Sequence, residues 1–143
     1  MAEAFRLDIA APNLVNICID EIRDGEKRGR MYDCYQHSAF YFVNEHQMLR
    51  RMGDLMNWLD YPQEAVRIRS FSKTERTGEK LQPVRPADRE RIVQERGALG
   101  SFIIHVRYRQ NATWQGRVIH IEDGVCEEFY SEIELLRFLD KEV

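Results

Sequence analysis

The chain has 143 residues, 43 % of them hydrophobic and 10 % aromatic, with a formal net charge of -3 and a pI near 5.8. That length and composition suffice to bury one ordinary core, so a single domain over 1–143 is expected. The mild acidity excludes a whole-protein electrostatic attraction to nucleic acid or to an anionic membrane, and leaves such a role only to local basic patches.

In chain order, Met1 to Leu14 carries Glu3 and Asp8 and no apolar run of signal-peptide length. No later window reaches the roughly 18 uncharged apolar residues of a membrane-spanning helix, and the expectation is a cytoplasmic protein without membrane contact. From 13 to about 60 the pattern reads strand, loop, strand, turn, short strand, helix. Ile17 and Ile19 are core positions, with Cys18 out of phase and facing outward. Asn44 with Gln47 starts a helix whose Met48, Met52, Leu55 and Leu59 form one stripe, Gly53 within it reads as a close-packing point, and Pro62 stops it.

Residues 67 to 97 differ in character. Nine Lys/Arg stand against five Asp/Glu between Arg67 and Arg96, a net +4 and the one basic patch of the chain. Ser70 to Leu81 reads as a mobile linker and Asp88 to Arg96 as a short surface helix docked by Ile92 and Val93; without interleaved aromatics the basic stretch reads as a solvated face.

From 100 to 143 the pattern of the first unit returns. Phe102, Ile104, Val106 and Tyr108 alternate with Ile103, His105, Arg107 and Arg109 as in a half-buried strand. Arg117 to Ile121 comes back antiparallel, Glu122-Asp123-Gly124 turns, and Val125 to Tyr130 is a third strand. Ser131 with Glu134 caps a helix whose Ile133, Leu136 and Leu139 are the expected apolar face.

Laid over each other with a shift of 87, the two stretches share seven residues (Ile17/Ile104, Gly29/Gly116, Arg30/Arg117, Phe42/Phe129, Glu45/Glu132, Leu49/Leu136, Arg50/Arg137) and keep apolar on apolar at Val15/Phe102, Ile19/Val106 and Met31/Val118. The expected fold class is therefore α+β, an internal duplication of a βββα unit (antiparallel meander plus helix) with a pseudo-two-fold. Matching apolar residues across the hairpin puts Ile104 opposite Ile121, Val106 opposite Ile119 and Tyr108 opposite Arg117, and in the first unit Ile17 opposite Cys34 and Glu21 opposite Arg30. The shared glycine then leaves the loop, and the arginine meets a carboxylate or ring across the strands.

This register makes Gln110 to Gln115 a six-residue loop, and a tryptophan within it needs a reason. Either Trp114 folds over the strand face beside Arg107 and Val118 while Asn111 and Thr113 bond loop amides, or it contacts a partner.

Catalytic constellations are missing: there is no phosphate-binding loop, no HExxH and no GxSxG. His105 and His120 are expected as cross-strand neighbours, but two histidines without a third ligand make a poor metal site, so no metal and no cofactor is expected. Cys18, Cys34 and Cys126 form no disulfide framework; Cys34 and Cys126 read as small buried hydrophobes, and none has a histidine to hold a thiolate. Glu127 and Glu128 alternate faces and cannot converge as an acid/base pair. The Asn111-Ala112-Thr113 sequon carries no weight in a cytoplasmic chain.

"YRQNATWQGRV", followed by "FYSEIELLRFLDKEV", resembles a family of small uncharacterised proteins of clostridial and related Firmicutes. "VNICIDEIRDGEKRGRMYDCYQ" and "YPQEAVRIRSF" are similar to that family too, so the resemblance covers nearly the whole chain. Where the family carries Phe-Arg-Ser, this chain has Phe129-Tyr130-Ser131, which leaves an arginine role there without support. The resemblance implies no activity, ligand or catalytic residue. The element order is also analogous to the βββα units of HicB-type antitoxins, which are partner-binding modules, although fold analogy alone assigns no function.

Two roles are expected from these residues. The first is a non-enzymatic protein-interaction or regulatory module with another protein as partner. The second is a nucleic-acid or nucleotide binder using outward Arg107 and Arg109 with Trp114 as a stacking platform. Arg107, Arg109, Asn111, Thr113, Trp114, Gln115 and Arg117 are the candidate binding residues for both.

Overall fold

A computed structural model describes residues 11–62, 86–110 and 113–143. The linker from Ser70 to Leu81 and Asn111 lie outside the described residues. The protein is α+β: the described residues form six strands and three helices, with every strand pair antiparallel in one sheet of order β3-β2-β1-β4-β5-β6. The strands are β1 (Val15–Arg23), β2 (Glu26–Asp33), β3 (Phe40–Phe42), β4 (Gly100–Gln110), β5 (Thr113–His120) and β6 (Cys126–Phe129); the helices are α1 (Glu45–Leu59), α2 (Pro86–Val93) and α3 (Glu132–Glu142). No helix among the described residues is long and apolar enough to cross a membrane.

Local chemistry accounts for the helix starts. Asn44 Oδ1 accepts from Gln47 N at 2.9 Å while Gln47 Oε1 accepts from Val43 N at 3.0 Å. Ser131 Oγ accepts from Glu134 N at 3.2 Å and Glu134 Oε1 accepts from Tyr130 N at 2.8 Å, so both helices satisfy otherwise orphaned N–H groups at their entrances. Asp60, in the left-handed region at φ 55°, ends α1 before Pro62 is reached.

The sheet is covered on both faces. On one, Met48, Met52, Leu55, Met56 and Leu59 of α1 and Leu135, Phe138 and Leu139 of α3 close over Ile17, Ile19, Phe102, Ile104 and Val118. On the other, Ile92 and Val93 of α2 pack with Leu14, Cys34, Ile103 and Ile121. The fully buried Asn16 fastens α2 there, its Nδ2 donating to Ile92 O at 2.6 Å and Glu95 O at 3.1 Å. Strands buried on both sides read as continuous apolar runs, as Leu14 to Ile19 and Phe102 to Ile104 do, with only Asn16 interrupting.

Two-sided burial overturns several expectations. The register is slipped by three residues on one side of each bulge, where Ile104 faces Val118, Val106 faces Gly116 and Ile17 faces Met31, and by two beyond it, where Tyr108 faces Gln115 and Glu21 faces Arg28. An odd slip flips a strand, and β5 permits it because Val118 on one side and Ile119 and Ile121 on the other can each serve a core. β4 accordingly runs to Gln110 and β5 begins at Thr113, so the connection has two residues instead of six. The first hairpin likewise turns on Asp24 and Gly25, both at positive φ (54° and 80°), the geometry of a tight two-residue turn.

Cys18 is buried instead of outward, because the α2 side of the sheet is also interior, and Cys126 is exposed because β6 is an edge strand. α3 buries Leu135, Phe138 and Leu139 and leaves Ile133 61 % exposed, so its apolar face is rotated from the expected one. His105 and His120 are not cross-strand neighbours; they pair with Arg117 and Phe102.

The shared glycines do not mark the exit from a loop. Each lies opposite an irregularity in the next strand, Gly29 at Ile19/Glu21 and Gly116 at Val106/Tyr108. A Cβ on Gly29 would sit 2.0 Å from Cys18 O, and one on Gly116 2.0 Å from His105 O. The bulged strand presses its backbone into the space a side chain would need.

Candidate functional site

The candidate residues divide by sheet face. Trp114 lies in β5, not in a loop, directed to the face covered by α1 and α3: it packs half-buried against the main core, and a Cβ on Gly53 of α1 would lie 3.5 Å from its Cζ2. Its backbone N–H donates to Glu132 Oε1 at 3.3 Å. Arg109, expected to point outward, is 5 % exposed on the same side, Nε donating to Pro62 O at 2.6 Å and Nη1 to Asn57 Oδ1 at 2.8 Å. The bulge reverses it: Arg107 and Tyr108 share the outer face, so Arg109 turns inward. Thr113 Oγ1 donates to Gln110 O at 2.9 Å and closes the base of the hairpin.

Arg107, Gln115 and Arg117 stand on the opposite face, and the fold adds Tyr108, Glu128 and Tyr130 to them. Arg107 Nη2 donates to Glu128 Oε2 at 3.2 Å, and the Tyr130 hydroxyl donates to Glu128 Oε1 at 3.0 Å. That hydroxyl, together with the guanidinium, holds the Glu128 carboxyl below the usual carboxylate range. Tyr108 and Tyr130 remain 54 % and 59 % exposed. This group is assembled across three strands: His105 of β4 faces Arg117 of β5, which faces Glu128 of β6, a long-range pairing that no local sequence pattern marks.

On the first half of the sheet the corresponding arginine is internally committed. Arg30 Nε and Nη2 grip Asp20 at 2.8 and 3.0 Å, Nη1 donates to the Tyr32 hydroxyl at 2.7 Å, and Nη2 also reaches Arg96 O at 2.7 Å. The arginine thus meets a carboxylate from the next strand, although the partner is Asp20, the extra residue of the bulge, and not Glu21. Its hydrogen bonds lower the Asp20 pKa.

His105 lies between Arg107 and Arg117. Burial first, and then those two positive charges, push its imidazole down to about 4 from 6.5. The unfolded chain takes up this proton below pH 6.5 and the folded chain only near 4, so stability present above 6.5 is lost as the pH falls towards 4. His105→Gln is expected to flatten that part of the pH profile of the urea midpoint between pH 7 and 4.5. An unchanged profile would contradict a buried neutral imidazole.

Burial pushes the Cys18 thiol up to about 12 and the Cys34 thiol up to about 11, so neither supplies a thiolate near neutral pH. On the face covered by α1 and α3, His120 is stacked on Phe102 with ring centroids 4.7 Å apart, and it faces carboxylates at both ring nitrogens. A shallow cleft of about 280 Å³ between β6 and α3 is lined by Val118, Glu127, Phe129, Arg137, Phe138 and Lys141, with Lys141 and Glu127 ion-paired at 2.7 Å.

Comparison with protein-family models, with characterised proteins and with solved structures returns no match.

Proposed function

We propose that the chain is a cytoplasmic, non-enzymatic protein-interaction module, built from two copies of a βββα unit related by a pseudo-two-fold. The duplication is supported by the shift of 87 carrying β2 onto β5 residue for residue and the bulge at Ile19/Glu21 onto that at Val106/Tyr108. At the junction of the halves Asn16 faces Ile103, which are each other's counterparts under that shift. The contacts between halves match as well: Lys27 pairs with Asp140, and their counterparts Trp114 and Gly53 pack together. One junction uses charge and the other an indole over a glycine, which accounts for a tryptophan in only one copy.

The observation that carries the interaction reading is the ordered Tyr130–Glu128–Arg107 chain beside exposed Tyr108 on the outer face of the second half. Tyrosine and arginine held in place before binding lose little side-chain freedom on contact, which is the composition and the economy of an interface hot spot. The nucleic-acid reading is weaker, since Arg109 is committed inside and Trp114 lies against α1.

A photo-crosslinking amino acid at position 108 or 130, in cells, is expected to give one discrete protein adduct that Arg107→Glu abolishes, with none from position 133 on α3. Equal labelling at all three positions, or none at any, would overturn the proposal. A nuclease-sensitive adduct would transfer the site to the nucleic-acid reading.

A further inference from the structure

We propose that His120, Asp123 and Glu142 form a site for a divalent transition-metal ion, with His120 Nδ1 and one oxygen of each carboxylate as ligands and Zn²⁺ as the preferred ion. The three donor atoms lie within 4.8 Å of one another. Nδ1 is 2.9 Å from Asp123 Oδ1 and 3.3 Å from Glu142 Oε1. Zinc–ligand bonds of about 2.0 to 2.2 Å at tetrahedral angles separate neighbouring donors by about 3.3 to 3.5 Å, close to this spacing.

The imidazole itself supplies an independent sign. The His120 side chain is 9 % exposed, yet both ring nitrogens are buried without a hydrogen-bond partner of acceptable geometry. Two carboxylate oxygens thus crowd Nδ1 without lying along an N–H bond to it. A buried polar atom is seldom left in this state, and a shared cation between nitrogen and oxygens resolves it.

The surroundings are those of a metal-binding histidine. Nε2 is 3.4 Å from Glu122 Oε1, and Glu122 is held by Ser101, whose N and Oγ donate to it at 2.8 and 2.7 Å. With an ion on Nδ1 the ring proton sits on Nε2, and a small turn of the imidazole would let that N–H donate to Glu122, the kind of carboxylate partner that orients a metal-binding histidine. Phe102 stacks on one face of the ring, and the Asp123 carboxylate is pinned by Val125 N at 2.9 Å. One nitrogen and two oxygens suit a transition ion better than Ca²⁺ or Mg²⁺, which favour all-oxygen shells. Asp123 is 44 % exposed on its side chain, so a fourth position opens towards water. The ion would tie the last turn of α3 to the turn after β5.

The test uses the full chain, stripped with a chelator and titrated with Co²⁺ and then Zn²⁺. The expected result is one equivalent of Co²⁺ with the visible absorption of a four-coordinate site, displaced by Zn²⁺ and not by millimolar Mg²⁺ or Ca²⁺. Asp123→Asn, on an exposed turn, and Glu142→Gln, a near-isosteric change at the end of α3, should each weaken binding by about 10-fold or more, and Glu122→Gln by about 10-fold through loss of ring orientation. Cys126→Ser should bind as the parent does. No saturable equivalent, or binding that survives both carboxylate variants or is lost with Cys126, would overturn the site.

Discussion

Gly116→Ala is expected to lower the unfolding free energy by about 3 kcal/mol or more. The new Cβ would lie 2.0 Å from His105 O and 2.8 Å from Val106 Cα, and both are backbone atoms of the neighbouring strand, so no rotamer change relieves the overlap. The hairpin must part or the bulge must be undone, and either breaks ladder hydrogen bonds next to Val106, which is buried in the core. Gly25→Ala is the control. Its φ of 80° strains an alanine, but nothing lies within 4 Å, so about 1 kcal/mol is expected. Equal urea midpoints for the two variants would contradict the close approach of β4 to β5.

Trp114→Ala is expected to cost about 2 to 3 kcal/mol in urea unfolding, less than for a fully buried tryptophan because this one is only partly covered. The loss measures the indole that covers Gly53 and adjoins the main core. Gly53→Ala is expected to act in the opposite sense. A Cβ there meets the indole at 3.5 Å, an ordinary contact, and removing a glycine from a helix interior gains about 1 kcal/mol. Glycine is thus tolerated at this point of α1 and is not required by close packing. An unchanged midpoint for Trp114→Ala would contradict its role as an anchor and return it to the list of contact residues.

Elements set by near neighbours were legible in the sequence. Asn44 with Gln47 and Ser131 with Glu134 announce their helices because a cap is a bond between residues three apart. The alternation of Phe102, Ile104 and Val106 announces a strand, and Ile92 with Val93 names the docking side of α2. What the tertiary structure decided were the choices between long-range partners of similar local merit. Ile119, Ile121 and Val118 are equally apolar, so the register of β5 depended on which helix covered which face, and no single strand carries that information. One bulged residue sends Arg109 inward to Pro62 and Asn57 and leaves Tyr108 in the open. His120 meets Glu142 only because α3 folds back along β5, from 22 residues further along the chain. Side-chain direction in a strand has period two, so a one-residue irregularity exchanges interior for surface, and only packing against the rest of the molecule determines which of the two is realised.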